Sequence, residues 1–246
     1  RLADAWTKGA VLDGLPEAER PRSIQDGYAI QAELRQLLGE PVTGYKLGMS
    51  SAAGMRASGI GGPAWGFMTA SRIHPSTVCL PVPPSGKVLM ELEVCFRLGE
   101  RLPAAGASAA EKLAGVANAY VGLEVVSSRF GERMLYGVPG FLADDVAFYA
   151  YVLGDEIARS DWSAVFAAPA TINLDGRRYC ETAQGEARTD PVEALSLFID
   201  EAAAIGLPLR PGMLITTGNL VLPNESAATG FFAGRLASHC VACTIE

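Results

Sequence analysis

Val88-Leu-Met-Glu-Leu-Glu-Val-Cys-Phe-Arg-Leu98 is the stretch on which the fold turns. It is apolar enough for a buried strand, yet it carries Glu91 and Glu93. Side chains alternate faces along a strand, so these two glutamates project together and Leu92 points the other way. A second strand-like run, Ala119-Tyr-Val-Gly-Leu-Glu-Val-Val126, carries Glu124. Burying a carboxylate costs a large part of a domain's stability unless it is neutralised or bound to a cation. Three carboxylates on such strands, with few Lys or Arg nearby in sequence, point to a hard divalent cation, Mg²⁺ or Mn²⁺. The competing reading places them on the solvent face of an antiparallel sheet, and the E-x-E spacing alone does not separate the two.

The wider composition narrows the class. A chain of 246 residues, 49% of them apolar, can bury a sizeable core. A net charge of −7, with no Lys/Arg cluster to reverse it, argues against a nucleic-acid partner. No apolar run approaches the ~20 residues needed to span a membrane. The opening residues Arg1 to Lys8 lack the apolar core of a signal peptide. Five cysteines, an odd count without framework spacing, suit a reducing compartment, and a cytoplasmic location is expected. His239-Cys240-Val-Ala-Cys243 contains a C-x-x-C, but it lacks a second ligand pair and sits in an apolar run, so it reads as buried cysteines on a terminal strand.

Working outward, residues 2–13 read as a short helix and 23–38 as a longer one, capped by Ser23 with Asp26 three residues on and Gly39 past its end. Residues 43–49 are strand-like, 50–56 a short helical segment, and 59–66 a Gly/Pro-rich loop. A helix is expected over 107–117 and a strand over 146–153. Asp175-Gly176 between Ala170–Leu174 and Arg177–Cys180 predicts a two-residue β-hairpin turn. Pro191 to Ile205 reads as a helix, 209–218 as a turn and strand, and the remainder as two short strands. Short strands with Gly/Pro turns and no regular βαβ alternation favour an α+β fold with a curled sheet or barrel.

Other candidates are weaker by themselves. Lys46 lies in an apolar strand between Gly44 and Gly48; it faces solvent, or it pairs with acid and handles a substrate carboxylate or a proton. Asp144-Asp145 can be a turn, a cap or a functional acid. Thr216-Thr-Gly-Asn219 can be an ordinary turn or a backbone cradle for a carboxylate. Arg129 can bind an anion or pair with an acid such as Asp144. The dinucleotide, P-loop, nucleophile-elbow and zinc-protease motifs are missing, and two histidines make a Ser-His-Asp hydrolase improbable.

Taken in order, five segments resemble the 2-keto-4-pentenoate hydratase / 4-oxalocrotonate decarboxylase family. They are Gly44-Tyr-Lys-Leu-Gly-Met-Ser-Ser51, Met90-Glu-Leu-Glu-Val-Cys-Phe-Arg-Leu98, Leu123-Glu-Val-Val-Ser-Ser-Arg-Phe130, Ala143-Asp-Asp145 with Val152-Leu-Gly154, and Leu209 to Gly218. Each is weak alone, but their order and spacing over nearly the whole chain are fairly specific. The resemblance implies a fumarylacetoacetase-like fold in a single domain over 1–246: a helical segment over 1–40, then a β-rich catalytic part over 41–246 built as a mixed β-roll or barrel with flanking helices. It implies metal ligands Glu91, Glu93 and Glu124. Lys46 and Asp144 are the implied catalytic residues, and Ser50, Arg129, Thr217 and Gly218 the substrate-binding ones.

The implied activity is a metal-dependent lyase acting on a small 2-oxo or 2-hydroxydienoic acid through a stabilised enolate. Hydration of 2-hydroxypenta-2,4-dienoate-type substrates in aromatic-compound catabolism comes first. A 4-oxalocrotonate-type decarboxylase, an acylpyruvate C–C hydrolase and a non-catalytic binding subunit stand as alternatives. A homo-oligomer, and association with a pathway enzyme, are implied as well. The sequence also departs from the family's pattern. The loop resembling D-[EQ]-P-D-[FY]-G reads Gly61-Gly-Pro-Ala-Trp-Gly66, without an acid; Asp145 and Ala147 stand for the Asn and Ser of A-D-N-[AT]-S; and Ser127 replaces the Asp of D-S-R.

Overall fold

The computed structural model describes residues 1–227 and 229–246. The chain opens with α1 (Leu2–Lys8), α2 (Ile24–Leu38), β1 (Val42–Gly48), α3 (Ala52–Ser58) and β2 (Ala64–Thr69). Short strands β3 (Ile73–Pro75) and β4 (Val78–Leu80) lead to the long β5 (Lys87–Leu98), α4 (Ala109–Ala114) and β6 (Val116–Val126). Then come α5 (Gly137–Ala143), β7 (Phe148–Ile157), α6 (Trp162–Phe166), β8 (Ala170–Leu174), β9 (Arg177–Cys180) and α7 (Pro191–Ala204). The chain closes with β10 (Leu214–Thr216), β11 (Glu225–Ala227), β12 (Gly230–Leu236) and β13 (His239–Ile245).

Two mixed sheets result, so the fold is α+β. The larger follows the order β2-β1-β10-β5-β6-β7-β3, with β11 also on β5; the smaller follows β4-β13-β12-β8-β9. The centre of the larger sheet is β5, flanked by β10 and β6, and both runs quoted at the outset are buried along most of their length. Their apolar residues (Val88, Met90, Leu92, Val94, Val121, Leu123, Val125) join the main core. Each such side chain contributes about 1.5–3 kcal/mol on burial. That is the driving force that drags the glutamates between them out of water.

The local signals act as read. Ser23 and Asp26 form a reciprocal capping box on α2, and Ser108 with Glu111 does the same on α4. Asp190 caps α7 by accepting from the Val192 and Glu193 N–H groups, with Pro191 at the first position. The Asp175-Gly176 turn has positive φ at both residues (49° and 78°), the type I′ geometry that matches strand twist.

Several boundaries differ from expectation. The first helix stops at Lys8, because Gly9 adopts a left-handed cap at φ 62°. The helix expected over 107–117 spans only Ala109–Ala114, because Val116 already enters β6. The last three residues of the expected 59–66 loop are strand: Ala64–Thr69 is buried throughout and pairs antiparallel with β1. Its glycines and proline masked an apolar Trp65-Gly-Phe-Met68 run. The strand expected from 146 begins at Phe148, because Asp145, Val146 and Ala147 form a left-handed turn with φ of 54–55°. His239–Cys243 does lie on the terminal strand β13, but Cys240 is exposed and only Cys243 is buried. Residues three apart on a strand face opposite ways, so the two cysteines cannot converge on one ion.

Candidate metal centre

Register places the acids together. β5 and β6 pair antiparallel with Glu91 directly opposite Glu124 and Glu93 opposite Gly122. Like charges directly opposite on a sheet are destabilising by themselves. The three side chains each offer a carboxylate oxygen, and these oxygens lie within 4.8 Å of one another. Glu93 and Glu124 are 0% exposed and Lys46 1%, while Glu91 is partly exposed and is the member that meets solvent. The solvent-face reading of the three glutamates is thereby overturned.

One cation is supplied by the chain. Lys46, on β1, brings Nζ to 2.7 Å from Glu124 Oε1 and donates to the Val146 carbonyl at 3.2 Å. Lys46 is therefore a buried, acid-paired lysine, not a solvent-facing one. Three carboxylates against one ammonium leave two negative charges, the charge of one divalent cation. Both oxygens of Glu93 and Oε2 of Glu124 are buried without a well-formed hydrogen bond. An all-oxygen, anionic, under-satisfied cluster fits Mg²⁺ or Mn²⁺, which prefer hard carboxylate donors.

The electrostatics agree. Burial, reinforced by Glu124 and Glu91, pushes the Glu93 carboxyl well above its usual range; Lys46 opposes this but does not cancel it. Burial raises Glu124 to about 7 against the pull of Lys46. Burial alone would lower the Lys46 ammonium, but Glu124, Glu91 and Glu93 outweigh it and hold it above its ordinary value. Without a cation, protons must take over part of the neutralisation.

Tyr151, Thr216 and Asp145, with Gly122 and Gly66 making room, complete the surroundings; the sequence offered Asp145 and Thr216 only as members of candidate turns and gave no sign of Tyr151. Tyr151 pairs with Glu124 across β6 and β7, and its phenol leans over Gly122, where a Cβ would come within 2.1 Å of the Tyr151 hydroxyl. That hydroxyl is buried and finds no partner of good geometry. Thr216 accepts from the Leu47 N–H at 3.4 Å and so keeps its own proton to offer Glu93. Asp145 is 0% exposed; its Oδ1 accepts from the Phe67 N–H at 2.8 Å while Oδ2 is orphaned. Gly66, which pairs with Lys46 across β1 and β2, leaves the room Asp145 needs: a Cβ there would lie 2.7 Å from Asp145 Oδ1. Burial drives the Asp145 carboxyl well above its usual range, against the opposing pull of Arg129, the Phe67 N–H and Lys46. The sequence signals were the two glycines in otherwise apolar strands, which mark a close approach.

The remaining expected residues divide. Ser50, Thr217 and Gly218 do converge: Ser50 Oγ donates to the Thr217 carbonyl at 2.7 Å and sits against Gly218, whose φ is 95°. The Thr217 hydroxyl, however, donates to the Val94 carbonyl at 2.8 Å, so Thr216 rather than Thr217 turns its hydroxyl to the acids. Asp144 and Arg129 were expected to act on substrate, but the structure commits them to each other. Arg129 Nε donates to Asp144 Oδ1 at 2.6 Å, the Arg129 N–H and Ser128 Oγ donate to Oδ2, and Arg129 also donates to the Asp144 and Phe148 carbonyls. Both oxygens of that carboxylate are occupied, so of the two readings of Arg129 the structure shows the pairing with Asp144.

Comparison with known proteins follows the same line. No family model matches the chain. A 2-keto-4-pentenoate hydratase from Paraburkholderia phymatum is 27% identical over 225 residues, covering 89% of this chain and 85% of its own. A 4-oxalocrotonate decarboxylase from a Pseudomonas species is 25% identical over 194 residues, 76% of this chain and 74% of its own. By sequence the chain is similar to 2-keto-4-pentenoate hydratases and to a 4-oxalocrotonate decarboxylase. Among solved structures, the family's 4-oxalocrotonate decarboxylase from Pseudomonas putida G7, complexed with magnesium and adipate, superposes with a TM-score of 0.86 at 17% identity, over 100% of this chain and 94% of that one. A fumarylpyruvate hydrolase from Pseudomonas aeruginosa, in complex with Mn²⁺ and pyruvate, gives a TM-score of 0.58 at 16% identity, over 82% and 88%. These likenesses establish the fumarylacetoacetase-like fold.

Proposed function

We propose that the chain is a divalent-cation-dependent lyase of small 2-oxo or 2-hydroxydienoic acids, hydrating substrates of the 2-hydroxypenta-2,4-dienoate type. The observation that carries this is the buried Glu91–Glu93–Glu124 cluster, two charges short of neutrality. Glu91, Glu93 and Glu124 would hold Mg²⁺ or Mn²⁺, whose Lewis acidity draws electrons from the carboxylate and 2-oxo oxygens of such an acid.

The chain's own residues do the rest. Lys46 stays an ammonium because three acids surround it, so it serves as a charge partner or proton donor rather than a base. Two of its three N–H groups are spent on Glu124 and Val146, which fixes the direction of the third. Asp145, whose proton affinity burial raises, would be a second proton store beside it. The phenol of Tyr151 and the hydroxyl of Thr216 supply neutral donors near Glu93. Ser50 and the Thr217-Gly218 turn would shape the end of the pocket that receives the substrate.

Decarboxylation of a 2-oxo-dioate is the second reading. It is favoured by the acid-free Gly61–Gly66 loop, since adding water needs a group to manage that water. An ultraviolet assay separates them. EDTA-stripped protein with Mg²⁺ restored is given 2-hydroxypenta-2,4-dienoate and 2-oxohex-3-enedioate in parallel, with CO₂ monitored. Metal-dependent loss of the dienoate band without CO₂ is expected. CO₂ from the dioate alone would make the chain a decarboxylase, and no turnover of either would sink both.

A further inference from the structure

A second cationic cavity lies outside the acid cluster. It has a volume of about 470 Å³ and opens between α1, the 81–84 turn and residues 127–129. Arg72 forms its charged wall. Its guanidinium carbon lies over two aromatic rings, 5.0 Å from the Trp6 centroid and 5.2 Å from that of Tyr149. Trp6 also covers Arg129, at 4.5 Å. A guanidinium donates hydrogen bonds from its edge, and that edge is a planar fork matched to a carboxylate.

Most of the edge is unused. Arg72 Nη1 donates to the Tyr149 carbonyl at 3.2 Å, and among the described residues its other N–H groups find no acceptor and no acid pairs with it. Arg129, by contrast, is neutralised by Asp144. Burial, with Arg129 nearby, lowers the Arg72 pKa against the opposing pull of Tyr149 and Glu40. The cavity lining contains no Asp or Glu, and Lys8, ion-paired with Asp4 at 3.1 Å, adds a cation at the rim. Ser127 is part of this lining, at the position where the family pattern carries an acid. Pro81, Val82 and Pro84 give one side of the wall an apolar surface.

We propose that this cavity binds a small organic carboxylate, its oxygens on the free edge of Arg72 and its apolar body against Pro81, Val82 and Pro84. The site is separate from the acid cluster and independent of the activity proposed above. A calorimetric titration of the EDTA-treated full chain with benzoate tests it, with benzyl alcohol as the uncharged comparator. The expected result is saturable binding of one benzoate per chain, at least tenfold tighter than benzyl alcohol. Binding should weaken at least tenfold in Arg72→Gln and stay unchanged in Glu91→Gln. Lys8 is 72% exposed, so Lys8→Glu will fold even if Arg72→Gln does not, and it should weaken binding at least threefold. Absence of saturable binding would overturn the proposal. So would equal affinity for benzyl alcohol, undiminished binding in both cationic-site variants, or loss in Glu91→Gln alone.

Discussion

Two buried charged clusters sit a few residues apart in this molecule, and they are built on opposite terms. Around Arg129 every demand is met: Asp144 balances the guanidinium, Ser128 and the Arg129 N–H satisfy the second carboxylate oxygen, and two carbonyls take the remaining arginine protons. Around Lys46 one ammonium faces Glu91, Glu93 and Glu124, with orphaned oxygens left over. A satisfied network holds a fold in one shape; an unsatisfied one of the same depth is held open for something that arrives later.

Removing one partner from each cluster gives the sharpest contrast. Asp144→Ala leaves Arg129 buried and unpaired, and should cost about 3–5 kcal/mol in denaturant unfolding. Glu93→Gln should leave the metal-free protein at least as stable as wild type at pH 8 while abolishing Mg²⁺-dependent turnover. Equal destabilisation of the two variants would erase the distinction.

Ligand dependence comes next. Mg²⁺ at a hundredfold excess over its Kd should stabilise wild type by about 2.7 kcal/mol, read as a rise in melting temperature, and should leave Glu91→Gln unmoved. A shift retained in Glu91→Gln would place the ion elsewhere.

The pH dependence is smaller and has an unusual sign. Facing Lys46, Glu91, Glu93 and Tyr151, Glu124 keeps its proton to about 7, whereas an ordinary glutamate loses it near 4.5. Between those values the folded state binds more protons than the unfolded chain, so stability falls as pH rises. Melting curves in EDTA should decline across that window and flatten when Mg²⁺ is restored. The least change is expected from Asp145→Asn: its carbonyl can still accept from Phe67, so stability should move by no more than about 1.5 kcal/mol, the worth of one hydrogen bond.

Much of this was legible in the chain. Glu91, Glu93 and Glu124 stood out because carboxylates on apolar strands are costly, an argument needing only strand period and burial. The caps at Ser23 and Ser108 and the Asp175-Gly176 turn are local, and each formed as its residues direct. What was hidden depends on neighbours distant in sequence. Thr216 and Thr217 are adjacent, and only the partners Leu47 and Val94 decide which hydroxyl is spent. Tyr151 and Asp145 looked like an ordinary strand residue and half of an acidic pair until β6, β7 and β2 were laid side by side.

Gly66 and Gly122 carry a consequence for how such a site can vanish. Neither binds anything, yet each yields its side-chain volume to a partner, Asp145 in one case and Tyr151 in the other. A single methyl group at either position would evict that neighbour and rearrange the chemistry while leaving every acid of the cluster in place. Over generations, then, the activity can be silenced at a position that an inventory of charged residues would never inspect, and a chain so altered would still look intact by its acids alone.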